Sequence, residues 1–271
     1  MRGNLMAGEG RVREGRARGV QAGENPGRKN RLGPGWLIVV ALVMMCGMQV
    51  GAYGQVSPQF GFDFFGGTNK LLSANPWAGV RFSLSGRASF IFRYHYNHLS
   101  YEYRGYDGGS GPVLKKMQAN IGRFSGTLYA AGAKLSGYVN LSYLNGSDQY
   151  RGYLADTGLE WKFHPQVAVL GSVYAIREKS VLWHPDETVR WINTYSVRVG
   201  VKLWPVKGLA INPNYYLIRN SEEVEGSAFS AGLIFSPKWW LAVTAYYFRY
   251  GETAFYIFHG NYFSFGLNFY F

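Results

Sequence analysis

Tyr262-Phe263-Ser264-Phe265-Gly266-Leu267-Asn268-Phe269-Tyr270-Phe271 closes the chain, with an apolar residue at every second position. Phe263, Phe265, Leu267, Phe269 and Phe271 share one parity, and Ser264, Gly266, Asn268 and Tyr270 the other. Side chains alternate between the two sides of a strand, so a period of two reads as β-structure with one greasy face and one polar face. Such a strand suits a wall with lipid outside and a polar interior, the reverse of a soluble sheet.

The same alternation recurs upstream, in Phe60-Phe62-Phe64, Val80-Phe82-Leu84, Phe90-Phe92-Tyr94-Tyr96, Leu135-Val139-Leu141-Tyr143, Tyr195-Val197-Val199-Val201-Leu203 and Phe229-Ala231-Leu233-Phe235. Tight turns separate some strands: His164-Pro165, Trp204-Pro205 and Ser236-Pro237 put proline where no ladder donor is needed, and Ser85-Gly86-Arg87 and Ala133-Lys134-Leu135 are equally short. The other connections are longer and more polar, at 67–75, 101–116, 146–149, 179–188, 221–225 and 251–256. Short periplasmic turns alternating with longer extracellular loops predict an all-β fold, a single closed antiparallel transmembrane β-barrel of about twelve strands over residues 55–271. Trp161, Trp204, Trp239 and Trp240 beside the short turns, and Tyr101, Tyr103, Trp183 and Trp191 near the loops, read as two interfacial aromatic girdles.

Composition agrees with that class: 17% aromatic residues and 36 glycines against 10 prolines favour strands and turns over helical domains. Arg28, Lys29 and Arg31 precede the apolar run Trp36–Val50, and Ala52-Tyr53-Gly54 offers small residues for cleavage after Gly54. Residues 1–54 are therefore expected to be a disordered leader and a signal peptide. The run is shorter than the ~20 apolar residues a spanning helix needs. Cys46 is the only cysteine and lies in that run, which leaves the remainder without a disulfide or a thiolate metal site. The formal +12 is uneven, since residues 1–54 hold 8 Lys/Arg and 3 Asp/Glu, leaving 20 and 13, a formal +7. The remaining arginines stand singly in aromatic-rich strands with no nucleic-acid motif. No nucleic-acid partner and no cofactor are expected. His164, His184 and His259 lack metal-ligand spacing, the glycine-rich 105–111 segment opens no helix, and Glu222, Glu223 and Glu225 read as a solvated loop.

The closing run resembles the C-terminal signature of outer-membrane barrel proteins, and the alternating pattern extends the likeness over residues 56–271. The resemblance implies residence among bacterial outer-membrane lipids and recognition of the last strand by the barrel-assembly machinery. Among barrels of this size the resemblance is to small monomeric porins or to outer-membrane phospholipase A, and no long motif decides between them.

Strand parity separates two sets of residues. Asp63, Arg81, Arg93, His95, Arg123, Asp156, Glu160, Lys162, Arg198 and Lys202 fall on the polar side. Arg81, Arg93 and Arg123 belong to successive strands and predict a basic lumen wall, with Asp156 and Glu160 as an acidic patch further round. A narrow channel lined this way passes or binds small anionic solutes, because rows of arginine select anions. A filled barrel with a structural or adhesive role, its charges paired with one another, is the alternative. The second set is Tyr96-Asn97-His98-Leu99-Ser100, with His98 and Ser100 on the outward parity near the extracellular rim. It is similar to the His-x-Ser of outer-membrane phospholipase A and the lipid A deacylases, a resemblance that implies a histidine activating a serine for attack on a lipid ester. A hairpin folded about Asp107-Gly108-Gly109 brings Asn120 opposite His98, as an amide orienting the imidazole requires. Those families continue with Asn and commonly Gly after the serine, whereas Tyr101-Glu102 follows here. Interfacial His and Ser among tyrosines are also ordinary girdle residues.

Overall fold

The computed structural model describes residues 56–106, 112–147, 149–180, 189–221, 225–251 and 260–271. The leader and export signal, the 107–109 turn, Trp183, His184, Glu222, Glu223 and His259 lie outside them. Twelve antiparallel strands follow in chain order: β1 (Val56–Gly67), β2 (Leu71–Ser85), β3 (Ala88–Tyr106), β4 (Pro112–Ala131), β5 (Leu135–Gly146), β6 (Arg151–His164), β7 (Val167–Ser180), β8 (Arg190–Val206), β9 (Leu209–Asn220), β10 (Glu225–Lys238), β11 (Leu241–Tyr250) and β12 (Gly260–Tyr270). Each pairs with its sequence neighbours, and β12 returns to β1 from Gln59↔Tyr270 to Gly67↔Tyr262, closing the barrel. Closure leaves no free edge, which an apolar medium requires because it cannot satisfy open backbone groups.

The alternation sets which way each strand faces. Phe263 on β12 is 63% exposed while its neighbour Tyr262 is fully buried. The exposed residues of β1, β3, β5, β8 and β10 are likewise those of the apolar parities, among them Phe62, Phe92, Leu141, Val199 and Leu233. Inside, large residues meet glycines across the ladder: Trp77 opposite Gly61, Arg93 opposite Gly79, Tyr138 opposite Gly158 and Tyr246 opposite Gly232. At each of these glycines an added Cβ would collide with the facing side chain. A narrow barrel is filled this way, small residues making room for large ones.

Four of the five short turns come with local slips in pairing, at 83/85, 162/164, 203/206 and 235/238. Pro165, Pro205 and Pro237 sit in or beside three of them, where the missing N–H costs no ladder bond. At the opposite end β3 and β4 run to 19 and 20 residues, pairing through Tyr106↔Pro112. The loop expected over 101–116 is thus mostly strand. The girdle assignment needs a second correction. Tyr101 is 1% exposed inside the barrel, and Trp204 turns inward beneath the ammonium groups of Lys162 and Lys202, each 5.0 Å from its ring. Both residues have the inward parity of their strands. Trp161, Trp191, Trp239 and Trp240 do face outward.

Candidate functional site

The interior is divided along its axis. Toward the longer connections, Leu71, Leu99, Tyr101, Ala119, Ile121, Leu144, Leu154, Ile176 and Tyr262 form one buried apolar cluster, with Phe65, Tyr174, Phe248 and Tyr250 packed against it. Tyr262 stacks on Phe65 at 5.4 Å and meets Tyr250 edge-on at 5.6 Å. Tyr150, in the connection between β5 and β6, donates its hydroxyl to Glu178 at 2.7 Å. Burial and that carboxylate push its phenol above the ordinary value, so it remains a donor.

Below the cluster lies the polar layer. Arg81 on β2, Arg93 on β3 and Arg123 on β4 form a diagonal, since Arg81 faces Ile91 and Arg123 faces His95 on either side of Arg93. Arg93 reaches past Gly79 to donate from Nη2 to Gln59 Oε1 on β1 at 3.0 Å, and its guanidinium rests 4.7 Å from the Trp77 ring centre. Arg123 Nε donates to Ser142 Oγ at 3.0 Å. None of the three makes an ion pair with a carboxylate among the described residues. The Nε atoms of Arg81, Arg93 and Arg198 are buried with no hydrogen-bond partner among the described residues.

The acidic residues are held differently. Tyr138 donates to Asp156 at 3.0 Å and accepts from Arg198 Nη2 at 3.5 Å, joining β5, β6 and β8. Glu160 pairs with Lys202 at 3.2 Å. A cavity of about 170 Å³ opens beside them, lined by Tyr129, Tyr138, Glu160, Arg198, Lys202 and Asn212. Glu160 is ion-paired locally, whereas Asp63 acts on Arg93 and Asp156 on Arg123 without contact ion pairs among the described residues. Gln59, Trp77 and Tyr138 hold these charges in place and do not stand out in the sequence, although all three have the inward parity.

On the outer surface β3 and β4 pair His98 with Asn120 and Ser100 with Gln118. His98 Nδ1 and Asn120 Oδ1 are 2.7 Å apart, and the Tyr96 hydroxyl donates to the same oxygen at 3.0 Å. The backbone N–H of Asn120 donates to Ser147 Oγ at 3.1 Å, which steadies the amide. An imidazole that donates from Nδ1 to an amide oxygen keeps Nε2 as a base. Ser100 lies two residues on along the same outward face.

Neither a family model nor a curated relative matches the sequence. Solved structures do match. An outer-membrane channel of Pseudomonas putida F1 superposes with TM-score 0.56 at 8% identity, over 82% of this chain and 97% of that one. This chain has the fold of bacterial outer-membrane barrels. The NanC porin matches at TM-score 0.50 and 7% identity, over 78% of this chain and 98% of that porin. At these identities the likeness of the outer-membrane barrel to both is one of fold.

Proposed function

We propose that this outer-membrane barrel is a small porin-like channel that passes or binds small anionic solutes along Arg81, Arg93 and Arg123, with Asp156, Glu160 and Arg198 completing the polar lining. The observation that carries the reading is the arginine diagonal without a carboxylate partner among the described residues. In a narrow lumen of low effective dielectric, guanidinium groups that are not in contact ion pairs attract anions. The apolar cluster above them is the constriction, which makes the expected conductance small. The fold shared with an outer-membrane channel and a porin supports the same reading. Reconstitution in a planar bilayer under a salt gradient tests it: an anion preference that Arg93→Glu weakens is expected. In this account residues 1–54 direct export and the closing strand engages the barrel-assembly machinery.

A second reading has its own observation, the 2.7 Å approach of His98 to Asn120 on the lipid-facing side. In an outer-membrane lipid esterase, His98 would take the Ser100 proton as the hydroxyl attacks an ester carbonyl, and Asn120 would hold the ring as it becomes charged. Such a site also needs donors for the developing oxyanion. Ser100→Ala should then abolish fatty-acid release in mixed micelles, a loss on the order of 10⁴-fold or more, while heat-modifiable barrel migration persists. Equal hydrolysis by both proteins would end this reading.

A further inference from the structure

The outward rows of β2, β3 and β4 around Ser100 are ordered by polarity. Phe92 and, one row higher, Tyr94 with Phe124 mark the apolar level; then come Tyr96, the His98–Asn120 row and the Leu72–Ser100–Gln118 row. One row above Ser100, Glu102 faces Lys116 across the ladder, and Lys70 Nζ contacts Glu102 Oε2 at 2.9 Å from the other side. The row thus holds two lysines and one carboxylate, a formal net positive charge. A cleft of about 350 Å³ joins the rows, lined by Lys70, Leu72, Ser100, Glu102 and Lys116.

Lys70 is held by an unusual turn. Asn69 and Lys70 both have left-handed backbone, at φ 60 and 51. Thr68 Oγ1 donates to the Asn261 carbonyl at 3.1 Å and accepts from its N–H at 2.9 Å, fixing the turn to β12. Consecutive non-glycine residues at positive φ are costly and persist where the surroundings impose them.

We propose that Lys70 and Lys116 form a binding site for the phosphate of an acylated outer-leaflet lipid, which seats the lipid with an ester over Ser100. The proposal rests on the esterase reading for hydrolysis of the seated lipid, but not for binding itself. The order of rows matches a membrane lipid: phosphate at the rim, ester next, acyl chains along Tyr94, Phe92 and Phe124. Two strand residues rise about 6.6 Å, a separation that suits a phosphate and an ester joined through a short polyol backbone. Lysine ammonium groups bind phosphate as point charges without a required plane.

The test uses the full barrel in non-ionic micelles with phosphatidylglycerol and with diacylglycerol of the same acyl chains. Ser100→Ala protein should retain phosphatidylglycerol over diacylglycerol by roughly fivefold, the scale of partly exposed charge contacts. Lys70→Gln and Lys116→Gln should each reduce that preference, and Glu102→Gln should increase it. Heat-modifiable migration shows that every variant is folded. Phosphate-dependent retention without hydrolysis by the unaltered protein would keep this site and remove the esterase. Hydrolysis of both lipids at equal rates, indifferent to either lysine, would keep the esterase and overturn this site. Displacement of the lipid by millimolar inorganic phosphate would also overturn it, by making the ligand a soluble anion.

Discussion

Arg93 shows how a charged residue is placed inside this wall. Its side chain crosses the ladder at Gly79, lies on Trp77 and ends at Gln59, so a strand with no side chain at the crossing is a requirement for its position. Trp77 in turn lies over Gly61. Gly79→Val should therefore displace the guanidinium and overpack the wall. A cost of about 1–3 kcal/mol, read as a lower urea midpoint for the barrel in micelles, is expected. An unchanged midpoint would mean that the interior has slack that the close opposition of these residues denies. The same scale explains what parity does and does not reveal. Alternation alone puts Arg81, Arg93, Arg123, Asp156, Glu160 and Arg198 on the polar side. Parity carries no information about which neighbour each side chain meets, so the Glu160–Lys202 pair and the Tyr138 bridge become visible only with the register.

Among the elements, β12 closes the barrel and is the most legible in sequence. Phe269 stacks on Phe60 at 4.9 Å, Phe271 lies 5.5 Å from the same ring, and the Phe271 N–H donates to the Pro58 carbonyl at 3.0 Å. A charge in the middle of this strand meets lipid directly, so Phe265→Arg should cost about 2–4 kcal/mol. Loss of heat-modifiable migration or a lowered unfolding midpoint would report it, and an unaltered midpoint would contradict the lipid-facing assignment of that parity. β3 and β4 are less legible. Glu102 and Lys116 are charged and face outward, which resembles loop composition, yet the ladder continues past them. At roughly 3.3 Å per residue these strands exceed what is needed to cross an apolar band ~25 Å tall, so their upper ends stand in water where such charges are stable. The inward face of β3, β4, β6 and β7 near the longer connections is obscured for a different reason. Leu99, Ile121, Leu154 and Ile176 are apolar on the parity expected to be polar. Alternation fades wherever both faces are apolar, and only the assembled cluster explains why.

As a whole molecule the barrel carries three layers: a lipid-facing surface, a packed apolar cluster toward the longer connections, and a charged interior below it. In the proposed channel, the apolar cluster and the arginines make opposing demands on a solute. Apolar walls disfavour a hydrated ion, whereas guanidinium groups lower the barrier for anions relative to cations. The expected outcome is a low conductance with a definite sign of selectivity. The most direct measurement is the reversal potential of the purified barrel in a planar bilayer with a salt gradient, taken for the unaltered protein and for Arg93→Glu. The account predicts a small conductance with a reversal potential on the anion-selective side, moved toward the ideal unselective value by Arg93→Glu. No conductance above the empty bilayer, or a cation preference unaffected by Arg93→Glu, would contradict it.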